Sequence, residues 1–205
     1  MIIKELNQIV QRLEKRFDEI PVERKELLTS FAAHISEKVK ENKDINLNFI
    51  CTHNSRRSHM SQIWAQTAAE YFSIPNVYCF SGGTEATAFN PRSVKAIGEV
   101  GFNIEQMDES NNPVYQVHFS KAKDPLKCFS KVYNDEFNPQ KDFTAIMTCS
   151  HADENCPVVF GAEKRFPIKY DDPKEFDGTD LEEAKYIERF EQIGIEMIYV
   201  FKRVG

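Results

Sequence analysis

An apolar stretch, residues 46–50, runs straight into Cys51-Thr52-His53-Asn54-Ser55-Arg56-Arg57-Ser58, a cysteine and an arginine separated by five residues. Where a strand end turns into a helix start, backbone N–H groups face an anion and the helix N-terminus adds partial positive charge. The planar fork of Arg57 matches two oxygens of a tetrahedral oxyanion. The same donors favour a thiolate: a free thiol titrates near about 8.5, and helix-terminal and guanidinium neighbours lower that by several units. Cys51 is therefore read as a nucleophile at the floor of an anion cup. Ser58 is placed to hydrogen-bond the sulfur and Asn54 to brace the loop, with Thr52, His53, Ser55 and Arg56 completing it. The bland alternative is a small buried cysteine ending a strand. A Cys-x5-Arg match fixes only two residues, and its weight comes from lying between an apolar strand and an amphipathic helix.

Two further loops carry chemistry. In Cys149-Ser150-His151-Ala152-Asp153-Glu154-Asn155-Cys156-Pro157, the first cysteine ends the apolar run 143–148 and the second follows a short polar loop. A thiol at Cys149 can attack a sulfur at Cys51, and Cys156 can resolve that disulfide, given the serial access a moving loop supplies. The competing readings are two unrelated free cysteines or a metal site with His151. Zinc sites bring closer cysteine pairs and four ligands, so no metal or other cofactor is assigned. The third loop is Tyr170-Asp171-Asp172-Pro173. An acid opposite the nucleophile protonates a leaving oxygen; an Asp before Pro is equally a common turn residue.

These loops need a frame that brings them together. Residues 46–50, 77–80, 143–148 and 166–170 read as strands, with helices over residues 57–72, 91–100 and 180–204. Alternating strands and helices predict an α/β fold with a four-stranded parallel sheet and helices on both faces. Ligands in such sheets sit beyond the carboxyl ends of the strands, where all three loops fall. Ahead of this, Ile2, Ile3, Leu6, Ile9, Val10, Leu13 and Phe17 mark one helical face, and Leu27, Leu28, Phe31, Ala32, Ile35 and Val39 a second beyond Pro21. Residues 1–43 are thus an N-terminal helical hairpin, a packing element or a surface for self-association. Residues 46–205 form the catalytic domain, with an insertion near 111–142 that reads as a hairpin.

Composition narrows the function classes. The 205 residues carry a net charge of −6, without the basic excess of a general nucleic-acid binder, so an anion site must be local. No apolar run is long enough for a membrane span, and the N-terminus lacks the order of a signal peptide, which points to the cytoplasm. An odd count of five cysteines in a reducing setting argues against a structural disulfide framework. Cys79 is expected in the core, and Cys128 receives no role.

CTHNSRRS resembles the phosphate loop of the low-molecular-weight protein tyrosine phosphatase superfamily. CTHNSRRSHMSQIWAQ, SGGTEATAFNP and CSHADENCP are similar to segments of the thioredoxin-coupled arsenate reductases built on that fold. The resemblance covers residues 46–205 and leaves the hairpin outside. It implies that arsenate binds at Cys51 and Arg57, that Asp172 is the acid, and that Cys149 and Cys156 pass a disulfide outward to thioredoxin. Departures are His53 in place of Gly, and Arg56 where many relatives have a further Cys; Arg56 is expected to be exposed or to add positive potential. Some of these reductases hold a potassium ion; Asn54 and Ser81 match that site, but Gln62 stands where an acidic ligand is expected. Lys174 and Glu175, after the Asp-Pro, replace the aromatic residues with which the phosphatases grip phosphotyrosine. The alternatives are a phosphomonoesterase using Cys51, Arg57 and Asp172 alone, and a sensor of oxyanions or redox state acting through the hairpin.

Overall fold

The computed structural model describes residues 2–156 and 158–205; Pro157, the last residue of the CSHADENCP motif, lies outside them. Four parallel strands, β1 (Ile45–Cys51), β2 (Val77–Gly83), β6 (Phe143–Met147) and β7 (Ala162–Phe166), form one sheet in the order β2-β1-β6-β7. Helices α3 (Arg57–Tyr71) and α4 (Pro91–Val100) connect the first part of the chain, α5 (Ser150–Asn155) follows β6, and α6 (Glu182–Lys202) closes it. The expected parallel α/β sheet with helices on both faces is present. Its last strand is not where the apolar pattern put it. β7 ends at Phe166 because Pro167 has no N–H to give the ladder. Residues 168–170 run on past the sheet, with the Tyr170 N–H donating to the Thr148 carbonyl at 3.1 Å.

Side chains alternate across a strand, and the two faces of this sheet carry different contents. Ile45, Leu47, Phe49 and Ile146 join the main core with Trp64, Phe102, Phe190 and Phe201. Ile50, Phe143, Ala145 and Met147 join a second, smaller cluster with Cys51, Cys149, Ala152 and Val159. Helix α3 is buried almost all round, because β1 and β2 on one side and α6 on the other enclose it. At its contact with α6, a Cβ on Gly194 would lie 2.6 Å from the Trp64 ring and 3.0 Å from Leu13, so only glycine lets these helices approach.

The N-terminal helices are α1 (Lys4–Glu14) and α2 (Val22–Lys40). Their faces, Leu6, Val10 and Leu13, and Leu28, Phe31, Ala32 and Ile35, belong to the main core. Arg12 and Arg16 reach Glu191 of α6 at 2.7 and 2.6 Å, and Arg24 reaches the buried Glu196 at 2.7 Å. Both helices lay their apolar faces on α6, and α2 also packs on β1.

The stretch after α4 makes a three-stranded antiparallel sheet, β3 (Asn103–Gln106), β4 (Tyr115–His118) and β5 (Leu126–Cys128), in the order β3-β4-β5. It is one strand larger than the expected hairpin. β3 was silent in the sequence because only Ile104 of its four residues is apolar.

The edges of the main sheet are treated differently. Along β2, Gln62 and Gln66 of α3 hydrogen-bond the outward backbone groups of Val77 and Cys79 at 3.0–3.1 Å. Farther along, residues 131–133 add a short rung at Gly83. β7 carries Glu163, Lys164 and Arg165 at the opposite edge, with Glu163 paired to Lys38 of α2.

Candidate functional site

The loop after β1 is held from three sides. From its own chain, Cys51 Sγ lies 3.1 Å from Ser58 Oγ, to which Asn54 Nδ2 donates at 2.8 Å. Asn54 is fully buried and has φ of 44°, a left-handed conformation that Asn tolerates better than most residues. From the segment after β2, the N–H groups of Thr84, Glu85 and Asn90 donate to the carbonyls of Cys51, Thr52 and Ser55 at 3.1, 2.8 and 2.9 Å. Gly83 permits this: a Cβ there would lie 2.1 Å from the Glu85 oxygen and 2.7 Å from Asn54 N. Ser55 Oγ donates to the Ala88 carbonyl at 2.8 Å. The third side was not foreseen. Ser130 Oγ donates to the His53 carbonyl at 2.9 Å, and Lys131 N–H to Asn54 Oδ1 at 3.0 Å. Residues read as an insertion therefore buttress the loop, a role their polar, irregular sequence did not signal.

Arg57 donates to the Tyr170 carbonyl at 2.9 Å and to Asp172 Oδ2 at 2.6 Å, while its buried Nε has no partner among the described residues. Asp172 also accepts from Lys174 N–H at 3.1 Å, so it caps a short 3-10 turn as well as meeting Arg57. Asp171 is exposed and pairs with Arg189 at 3.3 Å. Arg56 is not solvent-facing: its side chain is 11% exposed, its Nε donates to Tyr186 at 2.9 Å, and it lies 3.9 Å from Asp172. Its positive charge is thus delivered to the acid loop. His53 does face solvent, 3.6 Å from Glu85.

Cys149 follows β6 as the N-cap of α5, beside the loop. Its sulfur is 3.4 Å from Thr52 Oγ1 and accepts from Ala152 N–H at 3.4 Å. Thr52 Oγ1 in turn lies 3.3 Å from His151 Nδ1. Cys156, partly exposed, packs with Tyr133 against the cluster that contains Cys51 and Cys149. The Tyr133 phenol is pushed up by burial and by Cys156 beside it. The other two cysteines are elsewhere: Cys79 and Cys128 are buried in the main core, and burial pushes both thiols up, Cys128 to about 12.

The residues around Asn54 do not fit a potassium ion. Asn54 Oδ1 is taken by Lys131 N–H, Ser81 Oγ by His59 Nδ1 at 3.1 Å, and Gln62 Nε2 donates to Cys79. The buried Lys131 ammonium already supplies positive charge there, and burial lowers its pKa to about 8. His59 is fully buried and stacks on Phe89 with centroids 4.0 Å apart. Burial, with Lys131 next, holds it well below the ordinary histidine value.

The parallel sheet, with a cysteine loop passing from its first strand into a buried helix, is the fold of the low-molecular-weight phosphotyrosine phosphatases. It superposes on the enzyme of that name from Vibrio cholerae O395 with a TM-score of 0.53 at 12% identity, covering 77% of this chain and 95% of that one. The chain belongs to the arsenate reductase family. It is 30% identical to the arsenate reductase of Bacillus licheniformis over 160 residues, spanning 77% of this chain and 94% of the relative. It is 29% identical to that of Halalkalibacterium halodurans over 159 residues, with the same two shares. No protein-family model matches the chain. No helix among the described residues is long and apolar enough to cross a membrane.

Proposed function

We propose that this protein reduces arsenate to arsenite in the cytoplasm, with Cys51 as nucleophile, Cys149 and Cys156 as a disulfide relay, and thioredoxin as reductant. The observation that carries the reading is the placement of these three thiols, and no others, in one small apolar cluster at the carboxyl ends of β1 and β6. A phosphomonoesterase needs only the first of them.

The oxyanion is received by the loop N–H groups and Arg57. A buried, unpaired donor such as Arg57 Nε costs roughly 1–3 kcal/mol, which an oxyanion in reach would recover. Arg57 then exchanges Asp172 for the ligand, and the released carboxyl serves as the acid. The Cys51 thiolate attacks arsenic, an As–O bond breaks, and Asp172 gives its proton to the departing oxygen as water. Ser58, itself held by Asn54, donates to the attacking sulfur. Cys149 next attacks Cys51, Cys156 attacks Cys149 and frees Cys51, and thioredoxin reduces the Cys149–Cys156 bond.

The test is NADPH oxidation with thioredoxin and thioredoxin reductase, with and without arsenate. Native protein should turn over continuously; Cys156→Ser should release about one arsenite per protein and stop. Continuous turnover by Cys156→Ser would overturn the relay. Brisk hydrolysis of an aryl phosphate with no arsenate-dependent oxidation would replace the reading with the phosphatase one.

A further inference from the structure

Cys149 is 1% exposed, and a thiol must lose its proton before it can attack. Its sulfur has little water to receive that proton. One hydroxyl touches it among the described residues: Thr52 Oγ1 at 3.4 Å. That hydroxyl has a second contact, His151 Nδ1 at 3.3 Å, and His151 is exposed. Sulfur, hydroxyl and imidazole thus form a short chain from a buried thiol to solvent. A hydroxyl both accepts and donates, so it can take the Cys149 proton while giving its own to a neutral Nδ1. Asn155 Nδ2 donates to the His151 carbonyl at 2.8 Å, which ties the histidine backbone into α5 and fixes the start of the chain.

We propose that His151, acting through Thr52, is the proton outlet that converts Cys149 into an attacking thiolate. The inference rests on the arsenate-reduction reading for its role in turnover. In that step the Cys149 proton moves to Thr52 as the Thr52 proton moves to His151. The Cys149 sulfur then bonds to Cys51 while the Cys51–arsenic bond breaks. Its electron pair stays on arsenic: As(V) gains two electrons, and the two sulfurs together lose two in forming the disulfide. Protonated His151 returns its proton to water. Because Thr52 follows Cys51 in the anion loop, one side chain connects the nucleophile's loop to its resolving thiol. Sequence reading weighed His151 only as a metal ligand; its position two residues after a strand-ending cysteine was the available signal.

The experiment compares native protein with His151→Ala and His151→Asn in the thioredoxin-coupled assay, alone and with added imidazole. General-base contributions are of order 10²–10⁴-fold, and a base acting through a relay belongs at the low end. Turnover of His151→Ala should fall at least ~10-fold with KM for arsenate unchanged, and imidazole should restore much of it. His151→Asn keeps a hydrogen-bonding side chain without a base and should stay slow. Turnover of His151→Ala within twofold of native, or full activity of His151→Asn, overturns the proposal. A readout free of arsenate separates this from failure of the reductase reading: alkylation of Cys149 by iodoacetamide, followed by peptide mass spectrometry. It should slow in His151→Ala and recover with imidazole; an unchanged rate overturns the relay whatever the substrate.

Discussion

The two hydrophobic clusters make opposite use of the same residue type. In the main core, Cys79 and Cys128 sit among aromatic and aliphatic side chains, and burial pushes their thiols up. Outside that core, Cys51, Cys149 and Cys156 share a far smaller cluster, and each sulfur has a polar neighbour: Ser58, Thr52 and the Val158 carbonyl, respectively. Burial alone therefore does not decide what a cysteine does. A hydroxyl lies within 3.4 Å of the Cys51 and Cys149 sulfurs, whereas the polar contact of Cys128, Gln62 Oε1 at 3.9 Å, sits inside the main core.

The largest expected effect sets the two clusters directly against each other. Cys149→Ser should lower arsenate-dependent turnover at least ~10³-fold, a loss typical of removing one member of a catalytic unit, while Cys128→Ala should leave turnover within twofold. Equal losses in both would erase the distinction. Next, Phe190→Ala strips an aromatic ring packed 5.2 Å from Trp64 and 5.5 Å from Phe102. It should cost ~3–5 kcal/mol in urea unfolding and leave the activity of folded molecules nearly unchanged. A selective loss of activity without destabilisation would show that the main core is part of the chemistry. The smallest effect is one of pH. His59 and His34 have lowered values, chiefly through burial. Both therefore hold a proton less readily when folded than when unfolded, and unfolding takes up protons below their ordinary value of about 6.5. Stability should be full above about 6.5 and fall as the pH drops toward 5, by at most ~1.4 kcal/mol per pH unit for each histidine. His59→Gln should flatten part of that slope in urea midpoints; an unaltered slope would remove His59 as its source.

Much of this arrangement was legible in the sequence because strand ends and chemistry coincide. β1 and β6 are short runs of mostly buried residues that end at or just before Cys51 and Cys149, and parallel topology places their ends side by side. Less legible were features that depend on distant chain. β7 is an edge strand of charged residues, so its pattern pointed to the more apolar residues beyond Pro167. Arg56 looked exposed because Tyr186 and Asp177, which enclose it, lie more than a hundred residues away. The support from Ser130 and Lys131 is given by one side-chain oxygen and one backbone N–H, and backbone donors leave no mark in residue type. Tyr170 shows the same limit: its carbonyl, not its phenol, meets Arg57.

The unequal edges of the main sheet bear on how this protein behaves when crowded. An open strand is a template on which another chain can add itself and start a fibril. Along β2 that template is already occupied, by two glutamine side chains and a rung of the protein's own backbone. β7 is guarded by charged side chains instead, a defence that salt screens and that neutralising Glu163, Lys164 and Arg165 would dismantle. The chain thus closes one edge of its sheet with its own hydrogen bonds and guards the other with charge, and only the second depends on the ionic strength around it.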